Sequence, residues 1–225
     1  MGKRKRRNRI IAAIIRFILF VIVAVVTLVV VYVLKISSTT GSWVRKIDIT
    51  DEITANAVIW MSSIEDADIN SEWIQSHGDT FEVKAVLKMD KSKFGAGHYQ
   101  IYIDDESYKE CEKKAKVMLS ACMEDVIARK LQEAGYKDTV TNVQSQAAIL
   151  NVLGCSMEEY LQQNEISVMV PYNDLNNGVN EEGDYLVNAQ YITFNHDGLN
   201  IEERYIQSGD KLILTEGAYV YSKTK

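Results

Sequence analysis

"GDYLVNAQYITFNHDGLNIEERYIQSGDKLILTEGAYVYSK", from Gly183 to Lys223, is the stretch whose reading decides the fold. Apolar and polar residues alternate along it, the period of a half-buried strand. The alternation breaks at Asn195-His196-Asp197-Gly198, at Ser208-Gly209-Asp210 and at Glu216-Gly217. Gly beside Asp, Asn or Ser tolerates tight-turn backbone angles. Four short antiparallel strands are expected here, the first running unbroken from Gly183 to Phe194. Strands at this spacing suit a barrel or a sandwich.

Working outward, the same period recurs upstream. Trp43–Thr50 reads as a first strand. "TFEVKAVLKMD" places Phe81, Val83, Ala85, Leu87 and Met89 on one face. "GHYQIYID" alternates through Tyr99, Ile101 and Ile103, and the two form a hairpin through "KSKFGAG". About seven strands result, near the eight of small barrels.

Between the strands the period becomes helical. After Trp43–Thr50, "DEITANAVIWMSSI" puts Ile53, Ala57, Trp60 and Ile64 on one face, with Thr50 or Asp51 as N-cap. "INSEWIQSHGD" is a turn of helix ending near Gly78. A long helix is expected over 106–134, with Ser107 and Glu110 at capping-box spacing, an apolar stripe from Tyr108 to Leu131, and Gly135 as its stop. A second covers 141–153 and stops at Gly154. A third opens on the capping box Ser156-x-x-Glu159. An open sheet covered by these three helices fits the pattern nearly as well as a barrel.

The N-terminus has another character. Phe17–Leu34 holds eighteen residues without a charge, which as a helix span ~27 Å against a hydrocarbon core of ~30 Å. Arg16 can snorkel to the headgroups. A secretory signal has a shorter apolar middle and an A-x-A-like site, so an uncleaved anchor is expected. Lys3, Arg4, Lys5, Arg6, Arg7 and Arg9 precede the span and place the N-terminus in the cytoplasm. The expected organisation is a basic tail (1–9), a transmembrane helix (10–36), a short linker (37–42) and one extracytoplasmic domain (43–225).

The net charge of −6 averages two unlike pieces. Residues 1–35 carry eight Lys and Arg and no acid, so the rest, with 17 basic and 31 acidic residues, carries −14. An acidic ectodomain speaks against a nucleic-acid partner, which needs a basic face.

Gly41-Ser42-Trp43, at the start of the first strand, resembles the G-x-W signature of lipocalins. "YITFNHDG", "ERYIQSGDKLILT" and the final "YVY" look like the closing strands of bacterial lipocalin-like domains. The resemblance implies a small up-and-down barrel with the tryptophan closing one end. It also implies binding of a small apolar or amphipathic molecule. The fold class expected is therefore an N-terminal transmembrane helix plus an α+β ectodomain. That ectodomain is an antiparallel lipocalin-like barrel or curved sheet with a three-helix insertion at about 105–165. The insertion departs from a plain lipocalin, lying beside the barrel or plugging one mouth.

Residues that carry chemistry are sparse. His77, His98 and His196 sit in turn-like contexts with no metal-ligand spacing, and no metal or cofactor is expected. Cys111 and Cys122 stand eleven residues apart on one helix face, ~16 Å along its axis, too far to bond each other. Either can pair with Cys155, and buried free thiols are the preferred alternative. "NDLNNGVNEEGD" (173–184) is rich in oxygen ligands but misses the EF-hand glycine, where Val179 stands, and reads as a loop. Asp104/Asp105 and Glu158/Glu159 fall at helix starts, where carboxylates suit the helix dipole. No G-x-S-x-G, phosphate-binding glycine loop or H-E-x-x-H occurs, so no catalytic residue is expected.

The functional expectation is a single-pass membrane-anchored extracytoplasmic protein that binds a small apolar ligand or a cell-envelope component. The alternative is a non-catalytic protein–protein interaction module of the envelope. Its partners are the bilayer, through the N-terminal helix, and either that ligand or an envelope protein.

Overall fold

A computed structural model describes residues 2–63, 69–90, 95–135 and 142–224. Eight strands close into an antiparallel barrel in sequence order. They are β1 (Gly41–Asp48), β2 (Glu82–Met89), β3 (Ala96–Ile103), β4 (Glu181–Val187), β5 (Tyr191–His196), β6 (Leu199–Ser208), β7 (Lys211–Leu214) and β8 (Tyr219–Lys223). Closure comes from β8 returning to β1, where Trp43 pairs with Lys223 and Val44 with Ser222. The closed barrel removes the sheet edges that an open sheet would expose.

The C-terminal meander has five strands rather than four. Gly183–Phe194, expected as one strand, is interrupted at 188–190. The Asn188 carboxamide oxygen accepts from the backbone N–H of Gln190 (2.9 Å) and of Tyr191 (2.7 Å). This side-chain turn reverses the chain without glycine or proline, and β4 then pairs back on β5 with Tyr185 opposite Phe194. The later turns fall where expected: Ile206 faces Ile213, and Ile213 faces Val220.

The N-terminal helix α1 (Gly2–Ser38) contains an apolar segment, Ile15–Leu34, of mean hydropathy 3.3, long and apolar enough to cross a membrane. It runs on to within three residues of β1. The Ser38 hydroxyl donates to the Gln207 side-chain oxygen at 2.6 Å, and Gln207 donates back to the Ser38 carbonyl at 3.0 Å. Strand β6 thus satisfies a carbonyl that the helix end leaves without an intrahelical partner.

Among the described residues six further helices follow: α2 (Thr50–Ser62), α3 (Ser71–Gln75), α4 (Asp105–Glu133), α5 (Asn142–Leu153), α6 (Met157–Gln163) and α7 (Tyr172–Asn177). Among the described residues four helices, rather than three, lie between β3 and β4. The fourth, α7, occupies part of the oxygen-rich stretch read as a loop, and β4 takes up its end. Gly135 and Gly154 follow α4 and α5 as expected, and Ser156 with Glu159 forms the capping box of α6.

Two caps differ. In α2 the N-cap position is Ile49, without a side-chain cap. Asp48 instead accepts from the Thr50 N–H (2.9 Å) and hydroxyl (2.5 Å), which holds its carboxyl below the ordinary range. In α4 the cap is Asp104, accepting from the Ser107 N–H at 3.0 Å, so Ser107 lies inside the helix and is buried. A buried hydroxyl needs partners: it accepts from the Lys84 N–H at 2.9 Å and donates to the Asp104 carbonyl at 2.8 Å. On α2 the buried face is Ile53, Thr54, Ala57 and Met61, with Trp60 half-buried; Ile64 lies outside the described residues.

The chain divides into two compact units. The first holds Met1–Val44, Leu87–Gln100 and Glu181–Lys225; the second holds Arg45–Val86 and Ile101–Asn180. The division falls within β1, β2 and β3. The second unit has a mainly aliphatic and methionine core: Ile53, Ala57 and Met61 from α2, Phe81 just before β2, Val83 and Ala85 within it, and Cys111, Ala115, Met118, Leu119, Cys122 and Val126 from α4. Leu161 of α6 and Val168 and Met169 after it complete the core. Polar ties bind the long segment after α6: Asn56 donates to the Val168 carbonyl at 3.0 Å, and the Tyr108 hydroxyl to that of Val170 at 2.9 Å.

Candidate functional site

The first place to seek a ligand in a small barrel is its interior. In the barrel unit the inward positions are Trp43, Leu87, Met89, Tyr99, Tyr185, Val187, Ile192, Phe194, Tyr205, Leu212, Leu214 and Tyr221, all buried. Trp43, Leu87, Ile192 and Leu212 are 0 % exposed. Side chains packed this closely present no accessible surface at these four positions. Tyr99 packs edge-on to Phe194, with ring centroids 4.7 Å apart. Its hydroxyl is buried without a hydrogen-bond partner, and desolvation, with Glu181 adding to it, pushes its pKa up to about 12.

The Gly41-Ser42-Trp43 motif has a clear local logic. Gly41 has φ +119°, a conformation that L side chains rarely adopt. The turn brings the Trp43 indole N–H onto the Thr39 carbonyl at 2.7 Å, and Lys223 lies over the ring at 5.1 Å. A cation over an indole face is attractive. Trp43 is thereby pinned between the end of α1 and the last strand.

Glycine has a second role at Gly183. A Cβ there would lie 1.9 Å from the backbone oxygen of Asn195. Only glycine lets β4 approach β5 so closely.

The helical unit offers concave surface instead. One groove, of about 450 Å³, is walled by β1 and β2 on one side and the start of α4 on the other. Its charged lining is Lys46, Asp79, Glu82, Lys84, Glu110 and Lys114, with Ser107 and Cys111 beneath. Lys46 and Glu82 form an ion pair. A second groove, of about 250 Å³, is more apolar, with Phe81, Val117 and Met118 in its wall, and shares Asp79 and Lys114 with the first. The residue pattern contained this signal in part. Glu82 and Lys84 occupy the outward phase of a strand whose inward phase is apolar, and Glu110 and Lys114 share a polar helix face. What sequence reading missed was that these two polar faces meet.

The histidines are not brought together. His77 follows α3, where its Nδ1 lies 2.9 Å from the Trp73 carbonyl and its Nε2 3.7 Å from Asp125. The neighbouring Ser76 hydroxyl is 3.2 Å from the same Nδ1. The set holds the residue types of a catalytic triad, but the hydrogen bonding opposes that use. Nδ1 donates its proton to the Trp73 carbonyl, and the Ser76 hydroxyl donates to that carbonyl at 2.6 Å. A ring nitrogen that carries a hydrogen cannot take one from serine. Arg129 stacks on Trp73 at 5.0 Å and lies 3.8 Å from Asp125, so the cluster clamps α3 to α4. His98 lies within β3, not in a turn, 3.4 Å from Asp184; His196 ends β5 and donates to the Glu182 carbonyl at 2.8 Å.

All three cysteines are free, with Cys111 and Cys122 buried and Cys155 half-buried. Burial pushes the Cys111 thiol up to about 11 and the Cys122 thiol up to about 12. Both stay protonated at neutral pH and act as small apolar residues. Among the described residues no group of three or more His, Cys, Asp or Glu is placed to hold a metal ion.

The chain matches no family model, and neither a curated protein nor a solved structure aligns with it.

Proposed function

We propose that this chain is a single-pass, membrane-anchored, extracytoplasmic protein of the cell envelope. In this reading its lipocalin-like barrel is a filled scaffold, and its helical unit is a non-catalytic interaction module. The observation that carries the reading is the barrel interior: Trp43, Leu87, Ile192 and Leu212 leave no accessible surface for a guest. A pocket for a small molecule needs several hundred Å³. The helical unit exposes Val117 on α4 at 50 %, and Leu150, Val152 and Leu153 on α5 at 55 %, 83 % and 38 %. Leu150, Val152 and Leu153, neighbours at the end of α5, suit a partner surface.

The anchor rests on the apolar segment Ile15–Leu34 and on the hydrogen bonds that fasten Ser38 to Gln207. The orientation rests on the basic residues ahead of that segment.

Two experiments test this. The full chain in detergent, with Trp60→Phe and Trp73→Phe, is titrated with a fatty acid while Trp43 emission is followed. Blue, unresponsive emission is the expected result. A saturable shift means that the barrel opens for an apolar ligand and overturns the scaffold reading. Cys155, the more exposed thiol, reports orientation. A membrane-impermeant maleimide should label it on intact cells, and labelling only after lysis overturns the topology.

A further inference from the structure

We propose that the two joined grooves of the helical unit bind a short zwitterionic peptide. Its charged groups would sit among Asp79, Lys84, Glu110 and Lys114, and an apolar side chain beside Val117 and Met118. The inference deepens the interaction-module reading and rests on it.

Three observations converge. First, among the described residues none of Asp79, Lys84, Glu110 and Lys114 is in an ion pair. All four nevertheless line one groove. Lys84 stands on β2, and Glu110 and Lys114 stand four apart on one face of α4, so both signs are presented along the groove. A ligand that carries both signs can meet both; a simple anion or cation would meet repulsion as well as attraction.

Second, the charged groove of about 450 Å³ and the apolar groove of about 250 Å³ share Asp79 and Lys114, which places a hydrophobic wall next to the charges. Both volumes lie near or within the scale of small-ligand sites, ~300–1,000 Å³. Val117 is half exposed and Met118 fully buried, so a guest would cover the first and rest on the second. Third, the Ser107 hydroxyl beneath the groove is already satisfied by Lys84 and Asp104, and the Cys111 thiol is protonated. With these two groups engaged or neutral, recognition falls to the rim charges and the apolar wall.

The test uses the full chain in detergent micelles, labelled with ¹³C at the methionine methyls. The Met118 signal is assigned with Met118→Leu. The probe is the tripeptide Ala-Leu-Ala with free termini, and the control is the same peptide acetylated and amidated. The expected result is a saturable shift of the Met118 methyl with the free peptide and none with the capped one. Lys114→Glu, an exposed substitution that should leave circular dichroism unchanged, should weaken binding at least ~10-fold, the equivalent of about 1.4 kcal/mol. Val117→Lys should do the same from the apolar end. No Met118 shift, an equal shift with the capped peptide, or unchanged affinity in Lys114→Glu overturns the proposal. Trp43 emission reads the scaffold separately, so either idea can fail without the other.

Discussion

The barrel unit and the helical unit solve the same packing problem with different side chains. The barrel unit buries six aromatic residues, Trp43, Tyr99, Tyr185, Phe194, Tyr205 and Tyr221, among aliphatic ones such as Leu87, Ile192 and Leu212, with strand backbones brought close at Gly183. The helical unit closes mainly on Ile, Leu, Val, Met and Ala, with Phe81 among them, and its surface carries grooves. Large rings between fixed strands have little room to move, and glycine contacts leave no slack. Helices packed through flexible methionines leave concave seams.

The sharpest way to break this contrast is Gly183→Ala. The added methyl would sit 1.9 Å from a backbone oxygen, a clash that no side-chain rotation relieves. A loss of at least about 3 kcal/mol is expected, measured by denaturant unfolding of the full chain, with near-ultraviolet dichroism reporting the barrel aromatics. A loss below about 1 kcal/mol would show that the β4–β5 contact yields.

Leu119→Ala makes the matching cut in the helical unit, where Leu119 is fully buried. It should cost about 3 kcal/mol. Amide exchange should speed up first in α4, while the barrel amides respond less. Equal acceleration in both units would mean that they unfold as one, and the contrast would be geometric only.

Tyr99→Phe runs the other way. The Tyr99 hydroxyl is buried without a partner, and an unmet buried polar group costs about 1–3 kcal/mol. The variant should be more stable by about 1 kcal/mol, seen as a higher Tm. A lower Tm would mean that the hydroxyl has a partner in solution and that the interior is less dry than its packing implies.

The smallest effect concerns pH. A hydrogen bond to the Glu182 carbonyl, with Asp197 beside the ring, raises the His196 pKa above its ordinary value. A raised folded pKa adds stability that is fully present below the unfolded value of about 6.5 and is lost as pH rises through the folded one. His196→Gln should therefore lower Tm slightly at pH 5 and leave it unchanged at pH 9. The same change at both pH values would remove the charge from the explanation.

Much of this architecture is legible from the residues, because period and turn chemistry are local. The alternation of Phe81 to Met89, the glycine stops at 135 and 154, and the Ser156 capping box all depend on neighbours a few residues away. The errors have a common source. The break at Asn188 hangs on one side chain folding back on its own backbone, and asparagine in a strand-like run does not announce that. Ser107 reads as a cap by spacing, yet Asp104 takes that role. The Ser107 hydroxyl is instead engaged by Lys84, 23 residues away.

The sequence by itself determined an apolar segment long enough to span a bilayer, the β-α-β order, the inward face of the strands and the absence of familiar catalytic motifs. Those properties follow from hydrophobicity and spacing along one chain. Tertiary structure alone decided that the sheet closes, that aromatic and aliphatic side chains share the barrel interior, and that polar faces of β2 and α4 meet as a two-signed groove. Closure and filling depend on the volumes of side chains far apart in sequence, and a groove exists only where two elements fail to touch.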